Sequence, residues 1–135
     1  MPFDSSSTKT GKLNEAVLTR LPISERINSA NADRTIFIAD AAYEVVGIRE
    51  VHSVVGGAAH TVTVEKLTGT QAPAAGTVLL TAALSTTGTI NTVQAGTLVA
   101  TAATLKLAAG DRLALKTAGT VGSLEGVVTV MLRRI

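Results

Sequence analysis

The chain has 135 residues, a net charge of +2 and a 46% hydrophobic fraction, which fits one domain with a modest core. It has no cysteine, which excludes disulfides, thiol chemistry and cysteine-ligated zinc. Its 12 Lys and Arg are scattered against 10 Asp and Glu, and aromatics are only 2%, so neither a basic run nor a base-stacking surface for nucleic acid is present.

The first residues, Met1-Pro-Phe-Asp-Ser-Ser-Ser, contain no apolar h-region, so no signal peptide is expected. No run approaches the roughly 20 apolar residues of a membrane span, so no membrane partner is expected. A chain without cysteine suits synthesis in a reducing cytoplasm. The aromatic residues are Phe3, Phe37 and Tyr43, and Ala, Thr, Val, Leu and Gly carry most of the rest. Small and β-branched side chains suit a thin core between two sheets. Each buries little area, which leaves room for stabilisation by association.

Residues 1–33 are polar, mixed in charge and poor in pattern. Residues 14–18 permit one helical turn, and Pro22 stops it. Ile23 and Ile27, four apart, permit another short turn. The segment reads as an irregular arm: a disordered terminus would explain it, and so would an arm whose spaced anchors Leu18, Leu21, Ile23 and Ile27 order on a partner surface. Removing residues 1–30 is then expected to leave the fold intact and to weaken binding.

From residue 34 the idiom changes to strands. Residues 35–38 are short and apolar. Residues 43–52 are β-branched, and their two apolar phases predict a bulge near Gly47 that returns Val51 inward. Residues 61–66 alternate strictly, with Val62 and Val64 on one face and Thr61, Thr63 and Glu65 on the other. The Gly56-Gly57 break makes the loop between these two strands. Further short apolar runs fall at residues 78–84, 89–93, 98–100, 104–107, 112–117 and 127–133, separated by glycine-containing turns. This rhythm predicts an all-β fold, a jelly-roll-like antiparallel sandwich over residues 34–135, with no long helix.

Residues 67–105 carry no charged side chain. Thr-rich strand faces would explain this, and so would a surface lying against another protein, where charge is depleted. Thr81, Thr89 and Thr101 sample that surface. Within it, residues 75–83 echo residues 95–103, a match that biased composition produces easily.

No catalytic set emerges. His52 and His60 flank the Gly56-Gly57 loop beside Glu50, but no further metal ligand accompanies them, and loop histidines explain them. Asp40, Asp111 and Glu125 sit in turns, where carboxylates accept backbone N–H groups. The glycine turns lack the strand–loop–helix context of a phosphate site, and no Gly-x-Ser-x-Gly elbow occurs. No cofactor, metal or enzymatic activity is expected.

Four strings carry a resemblance: Ala42-Tyr-Glu-Val-Val-Gly-Ile-Arg-Glu-Val-His-Ser53, Val64-Glu-Lys-Leu-Thr-Gly-Thr-Gln-Ala-Pro-Ala-Ala-Gly76, Asn91-Thr-Val-Gln-Ala-Gly-Thr-Leu98 and Leu107-Ala-Ala-Gly-Asp-Arg-Leu-Ala-Leu115. Over residues 34–135 the chain resembles small structural proteins of tailed-bacteriophage morphogenesis clusters, with the capsid decoration, or cement, proteins as the nearest analogue. The resemblance implies a β-rich virion component on the capsid surface, made in the host cytoplasm. It implies the major capsid protein as partner and self-association, in the simplest closed form a dimer. A glycan-binding or structural sandwich from a phage tail or fibre is the alternative. Its sugar platform would have to come from Phe3, Phe37 or Tyr43.

Overall fold

A computed structural model describes residues 20–30 and 33–135. In chain order the elements are β1 (Arg20–Asn28), β2 (Arg34–Ile38), β3 (Tyr43–Val54), β4 (Thr61–Leu67), β5 (Thr77–Val78), β6 (Leu84–Ser85), β7 (Gln94–Ala95), a 3-10 turn (Ala102–Leu105), β8 (Lys106–Leu107), β9 (Arg112–Ala118) and β10 (Glu125–Arg134). All pairings are antiparallel, and they nest. β1 pairs with β10, β2 with β9, β3 with β7 and β8, and β4 with β5 and β6. The chain is thus a long hairpin rolled up on itself, the winding of a jelly roll.

Rolling sorts the strands into two sheets. The first has the order β1-β10-β3, with β7 and β8 on the far side of β3; the second has the order β2-β9-β4, with β5 and β6 beyond β4. Inward residues alternate along the long strands, as a half-buried pleat requires. Val128, Val130 and Leu132 from β10 meet Leu113 and Leu115 from β9, Val62 and Val64 from β4, and Val45 and Ile48 from β3. Phe37 and Tyr43 close one side edge to face, with ring centroids 5.7 Å apart.

The all-β sandwich expected from the sequence is therefore present, and four local expectations change. First, the arm expected over residues 1–33 is, from Arg20 to Asn28, a strand of the first sheet. Its register runs from Arg20 opposite Arg133 to Asn28 opposite Glu125 without a break. Ile27 is fully buried, with Leu21 and Ile23 packed on the same core. Leu18 lies outside the described residues.

Second, the bulge sits where expected but with a different consequence. Gly47 faces Met131 while Val45 faces Leu132, so Val46 is the extra residue. Val45 and Ile48 then both point inward, and the alternation continues through Glu50 and His52. Val51 stays on the outer face opposite Val127.

Third, β4 has no open face. Thr63, Glu65 and Leu67 are buried like Val62 and Val64, because the chain after β4 folds back over them. Fourth, residues 78–84 are not one strand. Leu79 and Leu80 are adjacent and both buried, and regular pairing is limited to β5 and β6 at either end. Leu79 bonds through its N–H to the Val64 carbonyl, and Leu80 bridges Leu98. Residues 89–93 are turn and loop, residues 98–100 contribute the bridge alone, and residues 104–107 divide between the 3-10 turn and β8.

Two measurements test this assembly. Ile27→Ala should lower unfolding free energy by about 2–5 kcal/mol in denaturant melts, the usual cost of emptying a full core site. A chain beginning at residue 29 should lose more than that, contrary to the dispensable arm the sequence suggests; a wild-type midpoint would remove β1 from the fold. Gly126→Ala should also destabilise, by about 1–3 kcal/mol. A Cβ there would stand 2.6 Å from the Val51 carbonyl oxygen and 3.0 Å from the His52 Cα, both backbone atoms that cannot swing aside.

Candidate interaction surface

At one end of the sandwich the inward phase of β3 delivers two polar side chains where apolar ones would be usual. Glu50 and His52 follow Ile48 at even spacing, and both are 1% exposed. His52 Nδ1 lies 2.7 Å from Glu50 Oε1, and His52 Nε2 lies 3.1 Å from the Gly88 carbonyl oxygen. A carbonyl can only accept, so Nε2 carries a proton. The Gln94 amide donates to Glu50 Oε2 at 2.5 Å and to the Ser85 carbonyl at 2.6 Å. The Asn91 N–H donates to the His52 carbonyl at 2.7 Å. His60, just before β4, reaches the same segment: its Nδ1 is 2.8 Å from Thr86 Oγ1.

These bonds fix a loop that has little apolar surface to hold itself. Residues 87–93 are all exposed, with Ile90 at 46% and Val93 at 62%. Val54 and Val55 are also exposed at this end of the molecule. The histidines are thus positioning groups for an uncharged, partly apolar tip.

The outer face of the first sheet is the second surface. Registers place Arg26, Val127 and Val51 in one row, Ser24, Thr129 and Arg49 in the next, and Pro22, Met131 and Gly47 in a third. Arg26 holds Glu125 by two bonds of 2.5 and 2.9 Å, and Arg133 holds Glu44 at 2.9 Å. The Arg26 hydrogen bond keeps the Glu125 carboxyl below the usual carboxylate range. Between these pairs lies a depression of about 220 Å³ lined by Arg20, Val46, Gly47, Arg49, Thr129 and Met131. Neither Arg20 nor Arg49 forms an ion pair among the described residues.

The outer face of the second sheet is mostly covered. There the Ala74 N–H donates to Glu65 Oε1, while Glu65 Oε2 and Thr63 Oγ1 are buried without a hydrogen-bond partner. Beside them an open hollow of about 260 Å³ is lined by Thr61, Thr63, Leu80, Thr81, Lys116 and Thr117, among others.

The structure separates the residues singled out from sequence. Leu21, Ile23 and Ile27 are turned into the chain's own core. Thr81, Thr89 and Thr101 are exposed. Thr81 edges the hollow on the second sheet, Thr89 lies in the His52 loop, and Thr101 precedes the 3-10 turn. Asp111 caps its turn as expected, accepting the Ala108 N–H at 2.9 Å. Asp40 instead accepts the Tyr43 hydroxyl at 2.6 Å, and Glu125 opens β10 against Arg26. The two described rings on which a glycan reading depends pack on each other, and Tyr43 is buried. Among the described residues no cluster of three or more His, Cys, Asp or Glu could hold a metal, and no helix could cross a membrane. Sequence reasoning missed Arg20 and Arg49. Their signal is register, and register across β1 is visible only once β1 is known to be a strand.

The two histidines give the loop opposite pH dependences. Burial pulls His52 down, but the Gly88 carbonyl and the hydrogen bond and charge of Glu50 outweigh it, so its value is raised. From β10 it meets uncharged Gly126, while Glu125 is tied to Arg26 outside. Protonated His52 therefore stabilises the fold fully below its unfolded-state value near 6.5, and loses that contribution as pH rises through the folded value. Burial lowers His60, which faces the neutral Thr86 hydroxyl. Its contribution is complete above about 6.5 and falls away as pH drops toward the folded value. Thermal melts across pH 5 to 9 should accordingly show a smaller alkaline decline in His52→Gln than in wild type, and a smaller acid decline in His60→Gln. Parallel profiles for all three proteins would refute the assignment.

No protein-family model matches the chain, and no curated protein matches it. Among solved structures it is similar to a chain in the acid-stable capsid structure of Helicobacter pylori bacteriophage KHP30. The identity is 11%, the TM-score is 0.51, and the match covers 85% of this chain and 87% of that one. It also matches part of a chain in the infectious bursal disease virus Gt strain structure, at 16% identity and TM-score 0.35, over 85% of this chain and 31% of that one. The VP2 subviral particle of the same virus gives 20% identity and TM-score 0.33, over 85% and 34%. The likeness to the phage chain is one of fold, and the two lower scores add nothing to it.

Proposed function

We propose that this chain is a virion structural protein that binds the outer surface of a phage capsid and stabilises it by bridging major capsid subunits, as decoration or cement proteins do. The observation that carries the reading is the fold match to a chain of a phage capsid structure over nearly the whole of both chains.

The surface chemistry is compatible with such a role. The polar groups at the His52 end are buried and spent on positioning a loop. The exposed Ile90 and Val93 lie in a stretch without charge, a composition suited to the centre of an interface. Self-association remains part of the proposal, with a dimer as its simplest form. The free edge of β1 is a poor seam for it. Pro22 offers no N–H, and the Arg26 carbonyl is taken by Arg34 at 2.5 Å.

Sedimentation with purified capsids tests the reading. Decoration requires the chain to travel with the shell at a copy number comparable to that of the major capsid protein. A few copies per particle would point to a tail or connector part, and none would end the proposal. Thr81→Lys, Thr89→Lys and Thr101→Lys probe three separate regions. On a solvated site the change should alter stability by less than about 0.5 kcal/mol and leave association untouched. At least one variant is expected to stay folded and lose capsid binding or self-association. Wild-type behaviour in all three would leave the charge-free stretch without an interface role.

A further inference from the structure

The outer face of the first sheet has a charge pattern that folding alone does not explain. Four arginines stand on it, Arg20, Arg26, Arg49 and Arg133, against Glu44 and Glu125. Both carboxylates are already held, by Arg133 and Arg26. That leaves Arg20 and Arg49 on the same depression without a counter-charge among the described residues. Val46, Gly47, Thr129 and Met131 complete its lining. Gly47 puts no side chain into it, and the flanking guanidiniums are forks that fit carboxylates in bidentate fashion.

We propose that this face is a docking site for an acidic segment of a partner protein, whose Asp or Glu side chains enter the depression between Arg20 and Arg49. That the partner is a capsid subunit rests on the function proposed above; that it is acidic does not. A second copy of this face is a poor occupant, because apposing two surfaces with unpaired arginines sets like charges together. Residues 1–19 are also a poor match, since Asp4 and Glu15 are offset by Lys9 and Lys12. The surrounding Pro22, Val51, Val127 and Met131 supply apolar area around the ionic centre, and none of them competes for the carboxylates.

The test uses the full chain, labelled with ¹⁵N, and a blocked Gly-Glu-Glu-Glu-Gly peptide, with the Gln version as control. The acidic peptide should move the amide signals of Gly47, Arg49, Thr129 and Met131, and the Gln peptide should not. Arg20→Gln combined with Arg49→Gln should weaken the effect about tenfold or more, with an unchanged melting midpoint because both side chains are exposed. No shift on this face, equal shifts with the Gln peptide, or an undiminished response in the double variant would overturn the proposal. So would shifts that appear only once residues 1–19 are removed, or that track dimer formation, since these identify the other occupants. Capsid sedimentation of the same double variant separates the two proposals. Peptide binding without capsid binding by wild type removes the capsid reading alone. Capsid binding that survives in the double variant removes this surface alone.

Discussion

Everything in this fold hangs on β10 being paired on both sides. β1 lies along one edge for nine residues and β3 along the other for ten, so the last strand of the chain is interior to its sheet. The nested order follows: once the first strand closes on the last, each following strand finds its partner one step inward along the hairpin. The contacts are long-range in sequence, and closing such pairs entails a loop entropy that local contacts do not. The alternating faces of β1 and β10 compensate, because a one-residue slip of β1 would turn Leu21, Ile23 and Ile27 to solvent. At Gly126 the backbone of β3 occupies the space a Cβ would need.

Away from that seam the molecule relies on polar rather than apolar fixation. β5, β6, β7 and β8 have two residues each, too short to hold by ladder bonds alone. The Glu50, His52 and Gln94 network supplies what they lack. It joins β3 to β7 and to the loop between β6 and β7, with bonds to a carboxylate that are stronger than neutral ones. Because Glu50 and His52 are buried, each needs its partner; loss of one leaves the other unmatched in a low-dielectric site. A similar division holds at the opposite end, where Lys66 donates to the Ala103 and Lys106 carbonyls at 3.2 and 3.0 Å and ties the 3-10 turn to β4.

The parts of this arrangement that could be read from sequence are those in which period-two alternation stands alone. β4, β9 and β10 met that condition, as did the bulge near Gly47. β1 did not, because Ile23 and Ile27 fit a helical spacing of four as well as a strand spacing of two, and Pro22 reads as a breaker although it is tolerated on an edge. The face of β3 was misassigned at its far end because Glu50 and His52 look like outward residues and Val51 like an inward one. The short strands between residues 77 and 107 were illegible for a different reason. Their conformations are set by tertiary bonds, such as those of Leu79 to Val64 and Gly96 to Ile48, and not by local pattern. Arg20 and Arg49 are far apart in sequence, and nothing in either neighbourhood signals that they line one depression.

The contrast between the two sheets bears on what the charge-free stretch does. Part of it is structural, since residues 68–83 lie over the outer face of the second sheet and bury Thr63, Glu65 and Leu67 beneath them. Its hydroxyls are satisfied locally: Thr81 Oγ1 donates to the Thr97 carbonyl at 3.3 Å, Thr92 Oγ1 to the Ile90 carbonyl at 3.2 Å, and Ser85 and Thr87 pair at 2.9 Å. Lys or Glu at these positions could not fold back in the same way, so threonine and serine follow from covering a sheet with irregular chain. That account does not extend to the exposed Ile90 and Val93, which cover nothing. It does not extend to the first sheet either, whose outer face no described residue covers and which keeps its charges. Among the described residues, one sheet is thus largely covered by its own chain, while the other carries Arg20 and Arg49 on its outer face without an ion-pair partner.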